Sequence, residues 1–220
     1  MHEVDPLALF HHRAVPGEAP ITLLLLHGTG GDEDDLLPLG PYLAPGAALL
    51  SPRGRVLENG APRFFRRIAE GVFDEEDLKH RTDELARFVR AARERYGLED
   101  RPIVAVGFSN GANIAGSLLL MKPEALDGAI LLRAMTPFIP EKPPALAGKR
   151  VFLGAGRNDP LVPPYESESW AERLRGAGAD VTLHWTNTGH ALAQEDIDAA
   201  REWLRRRFGS GPEDAARGAG

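Results

Sequence analysis

Apolar residues fall along this chain in two alternating rhythms. Short leucine-rich or β-branched runs occupy residues 21–26, 47–51, 103–108, 128–132, 150–154 and 181–185. Runs of this length predict strands, and 21–26, apolar throughout, reads as a strand buried on both faces. Residues 7–14 add a candidate opening strand. Between the runs lie longer amphipathic stretches, at 74–96, 110–121, 165–176 and 194–208, which predict helices. In the first of these Leu78, Leu85, Phe88, Val89 and Ala92 recur at helical spacing, and Gly97 follows as a C-terminal stop. Strands alternating with helices predict an α/β domain, with a mostly parallel central sheet and helices on both faces.

Two stretches break the rhythm. Residues 52–71 are rich in arginine and glycine, and 133–149 are rich in proline. Both read as loops over one end of the sheet, where α/β proteins keep their sites. Neither is long enough for a large helical cap. Residues 209–220 (GSGPEDAARGAG) have too little apolar content to offset the entropy of ordering them, so the expected division is a domain over 1–208 and a flexible tail over 209–220.

Composition narrows the chemistry. A chain of 220 residues is in the size range of one α/β domain and can bury a core without covalent staples. Its lack of cysteine excludes disulfides, thiolate metal sites and a thiol nucleophile, leaving oxygen and nitrogen to act. A formal charge of −6 disfavours nucleic acid and anionic membranes as partners. The N-terminal MHEVDPLALFHHR is acidic where a signal peptide is basic, and the run at 21–26 is far too short to span a bilayer. A cytoplasmic protein with no integral membrane association is the expectation; a homodimer is left open.

The run at 103–108 leads directly into Gly107-Phe108-Ser109-Asn110-Gly111 and then a helix. This is G-x-S-x-G in the strand–turn–helix context that lifts a serine hydroxyl above a sheet edge. The turn crowds the positions two before and two after the serine, where Gly107 and Gly111 stand. The helix start aims free N–H groups at the same spot, making the Asn110 N–H a natural oxyanion donor and Ser109 the candidate nucleophile.

A serine of this kind needs a base and an acid, in the chain order Ser, Asp or Glu, His. Asp159 lies in GAGRNDP just after the run at 150–154, and His190 closes TNTGH just after 181–185. His190 is the candidate general base and Asp159 its orienting acid. His184 is a rival base, but it lies inside a strand that confines it to a sheet face. Adjacent His11 and His12 point to opposite faces of a strand and complete no metal site. His27-Gly28-Thr29-Gly30-Gly31 follows the first buried run, and the Thr29 N–H is the expected second oxyanion donor. A phosphate-binding loop is the alternative there, but no GKS or GKT follows.

With LHGTGGDEDDL, GFSNGANIA, GRNDPLVPP and TGH in this order, the chain resembles the phospholipase/carboxylesterase family of α/β-hydrolases, to which the acyl-protein thioesterases belong. GFSNGANIA followed by PEALDGAILLRAM looks like a bacterial subgroup of small carboxylesterase-like hydrolases, some associated with quinone or hydroquinone stress. The resemblance covers residues 5–208. It implies the α/β-hydrolase fold, ester or thioester hydrolysis without a cofactor or metal, Ser109, Asp159 and His190 as the triad, and Thr29 and Asn110 as oxyanion donors. Asn110 stands where thioesterase relatives commonly carry glutamine, which counts against palmitoyl-protein activity. Dienelactone hydrolases and dehalogenases resemble this fold but use cysteine or aspartate as nucleophile, against Ser109 here.

Substrate choice then falls to the irregular loops, where Arg53, Phe64, Phe65, Phe73, Met135 and Phe138 are expected to line a partly apolar pocket. With no large cap, small or short-chain esters are the expected substrates. A thioesterase or lysophospholipase for longer chains, and an inactive binding protein, are the competing readings.

Overall fold

The computed structural model describes residues 5–209; most of the tail expected at 209–220 lies outside them. In chain order the elements are β1 His12–Val15, β2 Thr22–Leu26, α1 Leu39–Leu43, β3 Ala48–Pro52, β4 Val56–Glu58, β5 Ala61–Arg63, β6 Arg67–Ala69 and β7 Val72–Phe73. There follow α2 Glu75–Tyr96, β8 Ile103–Phe108, α3 Asn110–Met121, β9 Gly128–Leu132, β10 Arg150–Gly156, α4 Pro164–Gly176, β11 Asp180–Thr186 and α5 Gln194–Phe208.

Seven strands form the main sheet in the order β1-β3-β2-β8-β9-β10-β11. Only β1 runs antiparallel to its neighbour, so the carboxyl ends of the other six share one edge. Along β2 every residue is buried, and its side chains alternate between two apolar layers. Leu24 and Leu26 join the layer under α2, α3 and α4, with Phe88, Leu118 and Trp170. Leu23 and Leu25 join the opposite layer with Leu43 of α1 and Trp203 of α5. This is the predicted α/β-hydrolase architecture.

Helix α2 begins at Asp74, whose side chain accepts the Asp77 N–H at 3.1 Å, and it ends at Gly97 with φ 64°. Both ends thus use residues suited to them, an acidic N-cap and a left-handed glycine.

Two expectations need correction. The opening strand is shorter than residues 7–14: Pro6–Leu9 form a 3₁₀ turn, started by Pro6 and by Asp5 accepting the Leu7 N–H at 3.0 Å. Proline and a capping carboxylate favour that turn over extension. Residues 52–71 are also more than a loop, since β4–β5 and β6–β7 are antiparallel hairpins. The first turns at Asn59-Gly60, both at positive φ, and Asn-Gly between two short strands is a hairpin signal in its own right.

Candidate active site

Four segments converge at the shared carboxyl edge. Ser109 follows β8 with φ 51° and ψ −113°, a conformation that L-residues rarely adopt. The turn tolerates nothing larger at its flanks: a Cβ on Gly111 would lie 2.0 Å from the Leu26 carbonyl oxygen, and one on Gly107 2.6 Å from the Ala112 nitrogen. The Ser109 N–H donates to the Leu132 carbonyl at 2.9 Å, tying the turn to β9.

Ser109 Oγ lies 2.9 Å from His190 Nε2, and His190 Nδ1 lies 2.8 Å from Asp159 Oδ2. The carboxylate side chain is fully buried, and its other oxygen accepts the Leu161 and Val162 N–H groups at 2.8 and 3.1 Å. A carboxylate so held takes the Nδ1–H of the imidazole, leaving Nε2 to accept from the serine hydroxyl. The Phe108 ring packs beside His190, with centroids 5.5 Å apart.

The loop bearing His190 is anchored by a residue that the sequence reading passed over. Arg133, at the end of β9 with φ 57°, is buried, and its guanidinium donates to both oxygens of Asp196 at 2.9 and 2.7 Å. It also reaches the Gly189 and Ala191 carbonyls on either side of His190, the Gly154 carbonyl, and the Thr186 and Thr188 hydroxyls. Asp196 caps α5 by accepting the Ala193 N–H. One guanidinium therefore binds β9, β10, the His190 loop and α5. Only a charged residue closing an apolar strand hinted at this, since its partner is 63 residues away.

Neither the Thr29 N–H nor the Asn110 N–H has a hydrogen-bond partner among the described residues. The Thr29 loop is held by His27, which is buried: Nδ1 contacts the Gly28 carbonyl at 2.6 Å, and Nε2 accepts the Gly54 N–H at 2.9 Å. Burial pushes this imidazole below its ordinary pKa, against weaker opposing effects of the Gly28 bond and of Asp35 and Asp32. His27 is thus neutral in the fold and protonatable in the unfolded chain. Its contribution to stability is fully present above about pH 6.5, the unfolded value, and is lost as pH falls through the lower folded value. Urea unfolding below pH 6.5 is expected to show stability falling with a slope approaching 1.4 kcal/mol per pH unit, about one proton. His27→Gln should flatten that slope, and an unchanged slope would show that His27 does not cause it.

A cavity of about 250 Å³ opens beside Ser109. Of the expected pocket residues, Phe73 and Met135 line it. Phe64 and Phe65 instead belong to the core, almost wholly buried, with Phe64 packed on the His27 ring and Phe65 on the Phe73 ring. Arg53 is engaged by Glu33 outside the cavity, and Phe138 lines a neighbouring cavity with Lys79 over its ring. Helix α3 tethers both irregular segments to the site. Asn110 Oδ1 accepts the Phe64 N–H at 2.7 Å, and Asn113 Oδ1 accepts the Met135 N–H at 2.8 Å.

His184 lies away from this centre, stacked on Phe152 at 5.7 Å in the layer under α5. His12 is bound by the Tyr96 hydroxyl and the Phe10 carbonyl. Among the described residues no group of three or more His, Asp or Glu side chains is placed to hold a metal ion, and no helix is long and apolar enough to cross a membrane.

The profile of the phospholipase/carboxylesterase family matches residues 16–207. The chain belongs to that family. A putative hydrolase of Bacillus subtilis, MhqD, is 50% identical over 189 residues, covering 86% of this chain and 94% of that one. The solved Bacillus cereus carboxylesterase is 49% identical with a TM-score of 0.89, covering 91% of this chain and 96% of that one. A carboxylesterase from Mesorhizobium loti is 34% identical with a TM-score of 0.81, over 86% and 90% of the two chains. Family membership together with these relatives makes the protein a carboxylesterase-type hydrolase.

Proposed function

We propose that this phospholipase/carboxylesterase-family protein hydrolyses small carboxylic esters through a Ser109–His190–Asp159 triad and an acyl-enzyme. The observation carrying this reading is the continuous chain of contacts from Asp159 through His190 to Ser109, at 2.8 and 2.9 Å. Ser109 Oγ attacks the ester carbonyl as His190 Nε2 takes its proton, and the oxyanion forms against the Thr29 and Asn110 N–H groups. The C–O bond breaks as His190 returns the proton to the departing alcohol. Water, deprotonated by the same imidazole, then attacks the acyl-serine and releases the acid. Asp159 keeps the imidazole in the required tautomer and balances its transient charge.

The modest cavity beside Ser109 favours short acyl groups. A second reading, hydrolysis of longer acyl esters or thioesters, is favoured by a further cavity of about 350 Å³ that shares Gly71, Phe73 and Met135 with the first. Two measurements test these readings. A fluorophosphonate reagent is expected to label the native protein at Ser109, and a native protein that resists it would refute the nucleophile. Across p-nitrophenyl esters of graded length, kcat/KM should fall from butyryl to palmitoyl. Rates that instead rise with length would transfer the assignment to the longer-chain reading.

A further inference from the structure

The cavity beside Ser109 has an unusual charge arrangement. Arg63, at the end of β5, reaches it with a side chain only 4% exposed. Arg63 and Arg67, both in the lining, share one carboxylate, that of Glu58. Glu58 is committed to Arg67, whose Nε and Nη2 donate to it at 2.7 to 3.2 Å. Arg63 comes no nearer to Glu58 than 3.3 Å, through an Nε that also donates to the Phe65 carbonyl at 3.2 Å. Its remaining contacts are neutral: Nη1 donates to Thr29 Oγ1 at 2.7 Å, and the guanidinium lies 5.8 Å from the Phe65 ring centroid. Burial pushes the Arg63 pKa down, with Glu58 opposing and Arg67 reinforcing the shift. A guanidinium stays charged through such a shift.

A buried cation with a fraction of a counter-charge is a costly arrangement. The third arginine of the lining, Arg133, shows the contrast, since Asp196 neutralises it fully. Glu70, also in the lining, is exposed, so solvent screens it. Asn110, also in the lining, carries a buried donor without a partner. Asn110 is 2% exposed, its Oδ1 is taken by the Phe64 N–H, and its Nδ2 has no partner. The rest of the lining includes Phe73, Met135, Leu161 and Val162, which offer no acceptor side chain but suit a hydrocarbon spacer. Apart from the solvent-screened Glu70, the cavity offers Arg63 no anionic acceptor beyond its share of Glu58.

We infer that the substrate is an ester carrying a free carboxylate a few carbons from the scissile carbonyl, with the carboxylate received by Arg63. The spacing follows from Arg63 binding the side chain of Thr29, whose N–H faces the developing oxyanion. The carboxylate therefore sits about one residue away from the reacting centre. This inference rests on Ser109 being the nucleophile, and it adds the substrate class to that reading.

The test compares isosteric ester pairs. On the acyl side, monomethyl glutarate is set against methyl 5-methylhexanoate, with methanol release as the readout. On the alcohol side, the butanoyl ester of glycolic acid is set against 2-methylpropyl butanoate. In one of the two arms, kcat/KM is expected to favour the charged ester by roughly ten- to a hundredfold, the range of one or two charge-assisted hydrogen bonds; the arm that responds identifies which side bears the acid. Arg63→Gln should abolish the preference. Glu58→Gln, which removes the shared counter-charge, should increase it, an effect that general damage to the site cannot produce. Neutral esters preferred in both arms, or a preference that survives Arg63→Gln, would overturn the inference. If neither ester of any pair is hydrolysed, the small-ester reading of Ser109 fails instead. The inference is then judged by calorimetric binding of glutarate, expected for the native protein and lost in Arg63→Gln; no binding by the native protein would end it.

Discussion

Ser109→Ala is expected to lower kcat for a short-chain p-nitrophenyl ester by about a million-fold, and His190→Ala by a similar factor, with the double variant no worse than either. The non-additivity follows from the geometry. Ser109 Oγ and His190 Nε2 are 2.9 Å apart, so each is useful only through the other. Without the imidazole the hydroxyl remains an ordinary alcohol; without the hydroxyl the imidazole has only water to activate, in a site shaped for a bound nucleophile. Asp159→Asn should be milder in structure and severe in rate, because an amide that donates to Nδ1 reverses the tautomer. Stopped assays on purified variants, with circular dichroism to show that the fold is retained, provide the measurement. Hydrolysis retained at near-native rate in His190→Ala would refute the triad; His184 is poorly placed to substitute, stacked on Phe152 in the layer under α5.

Arg133→Met is expected to destabilise the fold by about 3–5 kcal/mol, because it strands the Asp196 carboxylate in a fully buried position. Its effect on catalysis should exceed what lost stability explains. The Gly189 and Ala191 carbonyls flanking His190 are both held by this guanidinium. Releasing them lets the imidazole drift from Ser109, and a displacement on the order of 1 Å costs about a hundredfold in rate. That loss should appear in kcat with KM little changed, measured well below the unfolding midpoint. Replacing both partners, as in Arg133→Met with Asp196→Leu, should recover part of the stability, since no unpaired charge is left. It should not recover kcat. Recovery of both would mean that Arg133 matters only as one half of an ion pair.

Much of this molecule was legible before its structure. Runs such as 21–26 and 128–132 could only be strands covered on both faces, because leucine and isoleucine in such density have no exposed side to offer. The elbow at Ser109 was legible because two glycines at fixed offsets, between an apolar strand and a helix, answer a steric demand that the structure bears out: a Cβ on Gly111 would overlap the backbone of β2. The hairpin at Asn59-Gly60 was legible too but overshadowed, since the arginines and glycines around it suggested only a loop.

What stayed hidden depends on partners distant in the chain. Phe64 and Phe65 looked like pocket walls but are core, because which face of a short, irregular segment turns inward is set by what packs over it. Nothing in the sequence singled out Arg63 or Arg133. One is buried beside the cavity with a shared counter-charge, and the other is buried at the hub of the His190 loop. Local sequence determined the strands, the helices, the strained turn and the order of the chemistry-bearing residues, because those follow from periodicity and steric fit over a few positions. The tertiary structure alone decided which charges are buried and which of them are neutralised, because the low dielectric that gives a buried charge its energy exists only after distant segments have excluded water.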